Sequence, residues 1–411
     1  VPFYAYEVFK RGSEEGTDYY SLSNLHYRNA AFFANGTYSY RGRYTLNGTY
    51  RYEGNNRLGR SRSARWLPTW NIAGTWNVHE EEFFKNLKPA LSHLSLTGSY
   101  SLTADAGPSY VSNASVEIAS NTPWRPSAGV TETGLEIASL ANTDLTYEKK
   151  HELNLGFDMG FLDNRINLTF DWYKRNNFDL IGIVTTQGIG GEVRKYGNSA
   201  TMESNGYEIS LSTKNIEKKN FTWTTDIIFS HTKNLITKLE TTKRGIDFVT
   251  GTGLGREGYD YRSIFSYQFK GLNEDGIPIL VNELGQLTSN AAGTELNTIN
   301  FQDRENFDHL VYSGPADPTD FGSFGNTFKV YGFRLNVFLT YSFGNVVRLD
   351  PVFSSSYSDL DAMPREFANR WMVPGDEQYT TVPAIVSKRQ VQNYTSSYLS
   401  RIYNAYNYST E

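Results

Sequence analysis

Alternation of apolar and polar residues, sustained over stretches of about ten residues, constrains this chain more than any other feature. Only an extended strand sends successive side chains to opposite faces. From Glu152 to Met159, Leu153, Leu155, Phe157 and Met159 fall on one face, with Glu152, Asn154, Gly156 and Asp158 on the other. The turn Leu162-Asp163-Asn164-Arg165 follows, and then Ile166, Leu168, Phe170 and Trp172 alternate with Asn167, Thr169, Asp171 and Tyr173. These two segments predict a long hairpin. The pattern returns at Tyr44 to Tyr52, Trp70 to Val78, Leu94 to Tyr100, Tyr207 to Leu211, Phe221 to Phe229 and Phe333 to Phe343. Strands of soluble proteins average about five or six residues, whereas a tilted strand that crosses a bilayer takes roughly 9–11.

The charges sort with the pattern. Arg43, Arg51, Glu152, Asp158, Asp171, Glu208, Asp226 and Arg334 all fall on the polar faces, and the apolar faces of these segments carry none. Lipid enforces such a separation, since Arg or Lys on the lipid face near the midplane costs roughly 2–4 kcal/mol. A buried sandwich core enforces something similar, so the connections matter more. Short turns (Tyr40 to Arg43, Leu162 to Arg165, Glu217 to Asn220, Val330 to Gly332) alternate with long excursions at 54–68, 103–147, 177–205, 233–319 and from 345 onward. The segment His79 to Ala90 is intermediate and reads as an acidic helical turn with Phe83 and Phe84 beneath it. Short turns on one side and long loops on the other are expected of an up-and-down outer-membrane barrel and are foreign to a compact soluble domain. Ten strands are predicted, with one or two more around Ser263 to Leu280 and Ser396 to Tyr408.

Composition fits the same class. Tyr (29), Phe (25) and Trp (7) make up 15% of the chain, yet mean hydropathy is −0.50. A barrel wall with an apolar outer band, aromatic girdles and a wet lumen combines those properties. Tyr44, Trp70, Trp76, Tyr100, Phe157, Phe170, Trp172, Trp223, Tyr341 and Phe343 are the candidate lipid-facing or interfacial aromatics. The chain has no cysteine, which excludes disulfides, thiolate metal sites and cysteine nucleophiles. A net charge of −5 without a basic stripe argues against a nucleic-acid partner. No apolar run reaches the roughly 18 residues of a membrane helix. The opening Val1-Pro2-Phe3-Tyr4 lacks the succession of a signal peptide, so Val1 is not expected to be the biological start.

The chemistry-bearing motifs point away from catalysis, a metal or a cofactor. Glu80-Glu81-Glu82 lacks ligand-spaced partners and reads as a solvated turn. Six histidines stand singly, none as HxH or HxxxH. Gly188-Ile189-Gly190-Gly191 and Gly251-Thr252-Gly253-Leu254-Gly255 do not follow a strand and open a helix, so they read as loop segments and not as phosphate cradles. No serine lies in a GxSxG elbow. Asn35-Gly36-Thr37 and Asn47-Gly48-Thr49 match a glycosylation sequon inside strand patterns and are read as chance. Asn273-Glu274-Asp275-Gly276 predicts a tight turn of a hairpin within an external loop. Tyr110, Trp124, Trp371 and Tyr379 sit in long loops, where they can stack on sugar rings or peptide side chains or pack the loops on one another.

Several blocks together resemble the SusC-like (RagA-like) family of TonB-dependent outer-membrane transporters. They include Arg51-Tyr52-Glu53-Gly54, Trp66-Leu67-Pro68, Glu81 to Asn86 and Asn142-Thr143-Asp144-Leu145-Thr146-Tyr147-Glu148-Lys149. Further on come Asp163-Asn164-Arg165-Ile166, Asp171-Trp172-Tyr173, Gly206-Tyr207-Glu208, Lys270-Gly271-Leu272, Phe324 to Phe328 and Arg370-Trp371 with Pro374-Gly375-Asp376-Glu377. The resemblance implies a 22-stranded barrel with a plug domain, energised by the TonB complex and capped by a SusD-like surface lipoprotein that helps capture glycans or peptides. The plug, the N-terminal extension and the closing strands are not seen, so residues 1–411 are read as a partial barrel domain.

The expectation is therefore an all-β antiparallel transmembrane barrel segment, multi-pass in the cell outer membrane, that imports a nutrient and performs no bond chemistry. A passive porin or secretion barrel shares the alternation, and a plug sequence upstream separates it from an importer. A soluble β-rich carbohydrate-binding protein is the rival from another class, and solubility without detergent identifies it.

Overall fold

The computed structural model describes residues 7–8, 10–11, 27–88, 90–107, 115–121, 132–139, 141–185, 194–240, 243–251, 253–350, 364–385 and 394–410. Among them, sixteen strands are present. The long ones are β1 (Asn29–Tyr40), β2 (Tyr44–Asn55), β3 (Trp66–Asn77), β4 (Leu91–Asp105), β7 (Glu148–Phe161), β8 (Ile166–Thr185), β9 (Arg194–Lys218), β10 (Phe221–Leu239), β15 (Asp320–Val330) and β16 (Phe333–Phe343). These ten form one sheet in that order, each beside the next along the chain. The remaining six pair off as β5 (Ser115–Asn121) with β6 (Glu132–Ser139), β11 (Ser263–Tyr267) with β14 (Leu310–Pro315), and β12 (Phe269–Leu272) with β13 (Pro278–Leu280). By backbone contacts the chain divides into two units, one holding residues 1–228, 237–241 and 324–338, the other 229–236, 242–323 and 339–411.

In the first unit the pairing register explains the alternation. Tyr44 faces Trp76, which faces Leu96, then Phe157, Phe170 and Ile209. The neighbouring apolar row runs Leu46, Gly74, Gly98, Leu155, Trp172 and Tyr207. Between them lies the polar row Thr45, Thr75, Thr97, Gly156, Asp171 and Glu208. A slip of one residue would put every apolar group among the hydroxyls and carboxylates, so the sequence fixes the register. The apolar side is open at several points, with Leu46, Ile72 and Leu155 at 57%, 55% and 47% exposure. Its aromatics stack across strands, as in Phe157 on Phe170 (5.2 Å) and Trp70 edge-on to Tyr100 (5.5 Å). A polar exception there is satisfied locally, since the Asn326 Oδ1 accepts from Trp223 Nε1 at 2.9 Å and from Thr225 Oγ1 at 2.8 Å. The two sequons face each other on adjacent strands, Asn35 opposite Thr49 and Thr37 opposite Asn47.

The four short turns join β1 to β2, β7 to β8, β9 to β10 and β15 to β16, as the sequence predicts. Asp163 and Asn164 hold positive φ (56° and 59°), the left-handed region that short polar side chains tolerate best after glycine. The expected excursion at 177–205 is a correction. β8 runs on to Thr185 and β9 begins at Arg194, making strands of 20 and 25 residues. Period-two reading stopped too early because a bulge at Asp179 (φ 57°), with register shifts between Asn177 and Ile181, breaks the alternation without ending the strand.

A clasp ties the loops at that bulge. Thr146 N donates to Asn198 Oδ1, and Asn198 Nδ2 donates back to Thr146 O, both at 2.9 Å, and to Asp179 O at 2.6 Å. Asn142 Nδ2 donates to Tyr196 O, and Lys149 Nζ meets Asp179 Oδ2 at 2.6 Å. The loop after β2 is stitched on by Gly59 N to Leu145 O (2.7 Å) and Arg60 N to Thr143 O (3.1 Å). Leu58, Leu145 and Tyr147 form a small buried core beneath these bonds. The residues from Asn142 to Lys149 that resemble the transporter family thus serve as a structural fastening.

The second unit has a core of its own. Phe248, Phe265, Tyr267, Ile277, Leu280, Ile299, Leu310, Tyr398 and Ile402 are buried together. The segment Ser396–Tyr406, expected as a possible strand, is an α-helix, α1, which Thr395 caps by accepting from Tyr398 N at 3.2 Å. Its buried positions, Tyr398, Ile402, Tyr403, Ala405 and Tyr406, follow the helical period and not the strand period. The predicted turn at Asn273 joins β12 to β13 inside this unit, and it recurs twice. Asn273, Asn282 and Asn290 each accept through Oδ1 from two later backbone N–H groups. Each is followed at the third residue by a glycine of positive φ, Gly276 (71°), Gly285 (74°) and Gly293 (68°). Each glycine N–H also closes onto its asparagine carbonyl, at 2.9, 2.9 and 3.1 Å. Three copies of one Asn-x-x-Gly turn therefore fold the loop back and forth on itself.

Candidate functional site

Two surfaces carry polar chemistry, one in each unit. On the polar side of the sheet, Glu152 meets Lys150 Nζ at 2.7 Å and Arg175 Nε at 3.0 Å, and the Arg175 guanidinium lies 3.9 Å from the centre of the Tyr173 ring. Asp171 and Glu208 lie opposite each other one step along, and hydroxyls and amides of Thr45, Thr75, Ser99, Ser101 and Asn154 fill the rest. Such a face can hold water and hydrogen-bond to solutes. At the turn after β3, Glu81 accepts from Tyr44 Oη (2.6 Å), Arg43 Nη1 (3.0 Å) and Trp76 Nε1 (3.3 Å). The bond from Tyr44 is the main reason its carboxyl stays below the usual carboxylate range. The acidic run is therefore a latch on the sheet at Glu81.

In the second unit a cleft of about 840 Å³ opens between β11, β14, the strand-following segment 346–350, residues 364–382 and the end of α1. Arg348 stands in its wall. Its Nη2 donates to Phe265 O at 2.6 Å and to Ser266 Oγ at 3.4 Å, and its guanidinium lies 5.5 Å from the centre of the Tyr408 ring. Among the described residues its Nε is buried with no acceptor, and Asn407 Oδ1, in the same wall, is buried with no donor. Burial pulls the Arg348 pKa below the ordinary guanidinium value. Elsewhere in the unit, Arg244 holds the Asp247 carboxyl below the usual range through a 2.7 Å bond, burial lowers His309, and burial pushes the Tyr398 hydroxyl up to about 12.

The four loop aromatics nominated from the sequence separate. Tyr110 and Trp124 lie outside the described residues. Tyr379 is 88% exposed and lines the cleft. Trp371 instead packs its ring over Gly276, leaving no room for a side chain there, and donates from Nε1 to Glu377 Oε2 at 3.1 Å. The ten candidate wall aromatics all sit in strands of the sheet, with Tyr44, Trp76, Phe157, Phe170 and Trp172 in the two apolar rows traced above. Arg348 and Asn407 were missed, and no local signal marks them, because their burial comes from segments far away in sequence. No cluster of three or more His, Asp or Glu able to hold a metal occurs among the described residues. At His231, Asp320 and Thr319, imidazole and hydroxyl both bond the same carboxylate (2.8 and 2.6 Å).

The family model described as TonB dependent receptor-like, beta-barrel, matches residues 4–350. The TonB-dependent receptor P3 of Formosa agariphila is 25% identical over 381 residues, which is 88% of this chain and 36% of that protein. The TonB-dependent receptor SusC of Bacteroides thetaiotaomicron is 28% identical over 245 residues, 57% of this chain and 23% of that protein. The solved RagAB peptide importer in its closed-closed state superposes with a TM-score of 0.69 at 22% identity, covering 87% of this chain and 38% of that one. The chain spans well under half the length of these relatives. With the matched residues running from before the first strand to beyond the last, the chain belongs to the TonB-dependent receptor-like β-barrel family.

Proposed function

We propose that this chain forms part of the wall and external loops of an outer-membrane importer that takes up a nutrient, a glycan or a peptide, with energy from the TonB complex and capture by a SusD-like surface lipoprotein. The single observation that carries this reading is the two-sided sheet. Its exposed apolar rows suit acyl chains, and its ion-paired, hydroxyl-rich rows suit a wet lumen. The family supports TonB-dependent transport in the outer membrane. Likeness to SusC, and to an importer whose solved structure is described as taking peptides, supports the nutrient class and the lipoprotein partner. The candidate aromatics of the apolar rows face lipid, and Tyr379 contacts ligand. Residues 1–411 serve as barrel and loops, with plug and N-terminal extension supplied by the rest of the protein.

The test is uptake in the native bacterium. Cells carrying the full-length gene should accumulate a labelled oligosaccharide or oligopeptide mixture only while TonB is present, and an affinity-tagged copy should bring down a surface lipoprotein. Uptake that persists unchanged after deletion of TonB would identify a passive pore and end the import reading.

A further inference from the structure

The Arg348 guanidinium is a cation held in a cleft wall without an anion. It forms no ion pair among the described residues, although Asp350 and Glu366 line the same cleft. Of its five N–H donors, only those on Nη2 meet acceptors among the described residues, a backbone carbonyl and a serine hydroxyl. Arg348 is half-buried with its Nε fully so, and a desolvated donor or acceptor without a partner is costly, so an orphaned donor and an orphaned acceptor in one wall suit a ligand that brings the complements. The donor is Arg348 and the acceptor is Asn407 Oδ1, adjacent in sequence to the Tyr408 ring on which Arg348 stacks. A volume of about 840 Å³ fits a ligand of a few residues or sugars.

We propose that this cleft is a carboxylate-binding subsite in which Arg348 takes the carboxylate and Asn407 accepts from an N–H or O–H group beside it. A planar guanidinium with unused donors matches a carboxylate in shape as well as charge. The neighbouring donor is an amide N–H when the carboxylate is a peptide C-terminus and a ring hydroxyl when it belongs to a uronic acid. Tyr379, projecting at the rim, supplies a face for the next side chain or sugar ring. Arg348 and Asn407 act as binding residues with no bond made or broken. The subsite deepens the import reading and rests on it for its place in transport.

The experiment measures binding to the full-length protein in detergent by calorimetry, with two matched pairs of probes: N-acetyl-triglycine against its C-terminal amide, and digalacturonate against its methyl ester. The carboxylate member of at least one pair should bind on the order of ten- to a hundred-fold more tightly than its neutral partner. Preference within the peptide pair identifies a peptide C-terminus as the source, and preference within the sugar pair identifies a uronic acid. Arg348→Gln should abolish the preference, and Arg348→Lys should restore part of it. Tyr379→Ala, which leaves the core untouched, should weaken both members of the preferred pair alike. Equal binding of charged and neutral probes, or an Arg348→Gln protein that still discriminates, overturns the proposal. The probe pairs decide it in the parent protein even if the Arg348 variants do not fold. TonB-dependent uptake measured in parallel separates the two claims. A carboxylate preference without energised uptake keeps the subsite and removes the import reading, whereas energised uptake of a ligand whose carboxylate confers no preference does the reverse.

Discussion

Placing an arginine at Leu155 tests whether the apolar side of the sheet faces lipid. Leu155 lies in the apolar row between Gly98 and Trp172, six residues before the end of β7 at Phe161. At about 3.3 Å per residue that is roughly 20 Å along the strand, and a strand tilt near 40° reduces it to about 15 Å of depth. Half of a hydrocarbon layer of about 30 Å is the same distance, so Leu155 sits near the midplane. There, Leu155→Arg is expected to cost about 2–4 kcal/mol, a shift of roughly 30- to 1000-fold in the folding equilibrium. The control is Thr97→Arg, one residue before Gly98 on the other side of the sheet, where the new cation faces Gly156 with Asp171 beyond it. It should stay within about 0.5 kcal/mol of the parent. Urea titration of the full-length protein folded into lipid vesicles, followed by tryptophan fluorescence, reads both. Equal costs for the two arginines, or a Leu155→Arg protein as stable as the parent, would refute the assignment of the apolar rows to acyl chains.

Three further outcomes follow from the loops. Asn273→Ala removes two accepted backbone bonds and the amide's bonds to Ser289 and Tyr394 in a buried site, and should cost about 2–4 kcal/mol. Asn290→Ala, in the more exposed copy of the turn, should cost about 1 kcal/mol or less, and hydrogen exchange across 269–299 measures the difference. Asn198→Ala opens the clasp, so amides of 142–147 should exchange faster while those in the middle of β7 keep the parent rate. Arg244 depresses the folded Asp247 pKa below 3.8, so its contribution is complete above that value and is lost as pH falls through the lower folded one. An acid titration of exchange at 243–251 should show that loss, and Asp247→Asn should flatten it.

What could be read in the sequence was whatever depends on neighbours a fixed number of residues away. Leu153, Leu155, Phe157 and Met159 declare a strand on their own, and their turn, Asp163-Asn164, declares its partner. The reading failed where position depends on distant chain. The bulge at Asp179 broke the period while β8 went on, because cross-strand pairing to β9 and the Asn198 clasp hold the backbone extended through it. Of the three Asn-x-x-Gly turns only the first was seen, since Leu284, Ala291 and Ala292 stand where a turn-favouring residue such as Asp275 would have marked the others. Arg348 looks like any loop cation between Val347 and Leu349, and its burial is set by Phe265, 83 residues earlier.

Aromatic composition pointed to the right class for a reason that is only half sufficient. The excess was assigned to a wall in lipid, and the first unit displays Tyr44, Tyr50, Trp76 and Tyr100 at exposed strand positions. Yet Tyr394, Tyr398, Tyr403 and Tyr406 are buried in the second unit, each at 9% exposure or less. Tyrosine suits both settings for one physical reason: its ring is apolar and its hydroxyl still needs a partner. On the sheet that partner is a carboxylate such as Glu81. In the loop core it is a backbone carbonyl or a carboxylate that the turns leave open, Thr288 O for Tyr398, Ala384 O for Tyr403 and Asp275 for Tyr394. A loop unit whose core is stitched by hydroxyls in this way gains order from hydrogen bonds that a leucine core would lack. Tyr406 carries one such bond into the wall of the Arg348 cleft, its hydroxyl donating to Thr381 O at 3.1 Å.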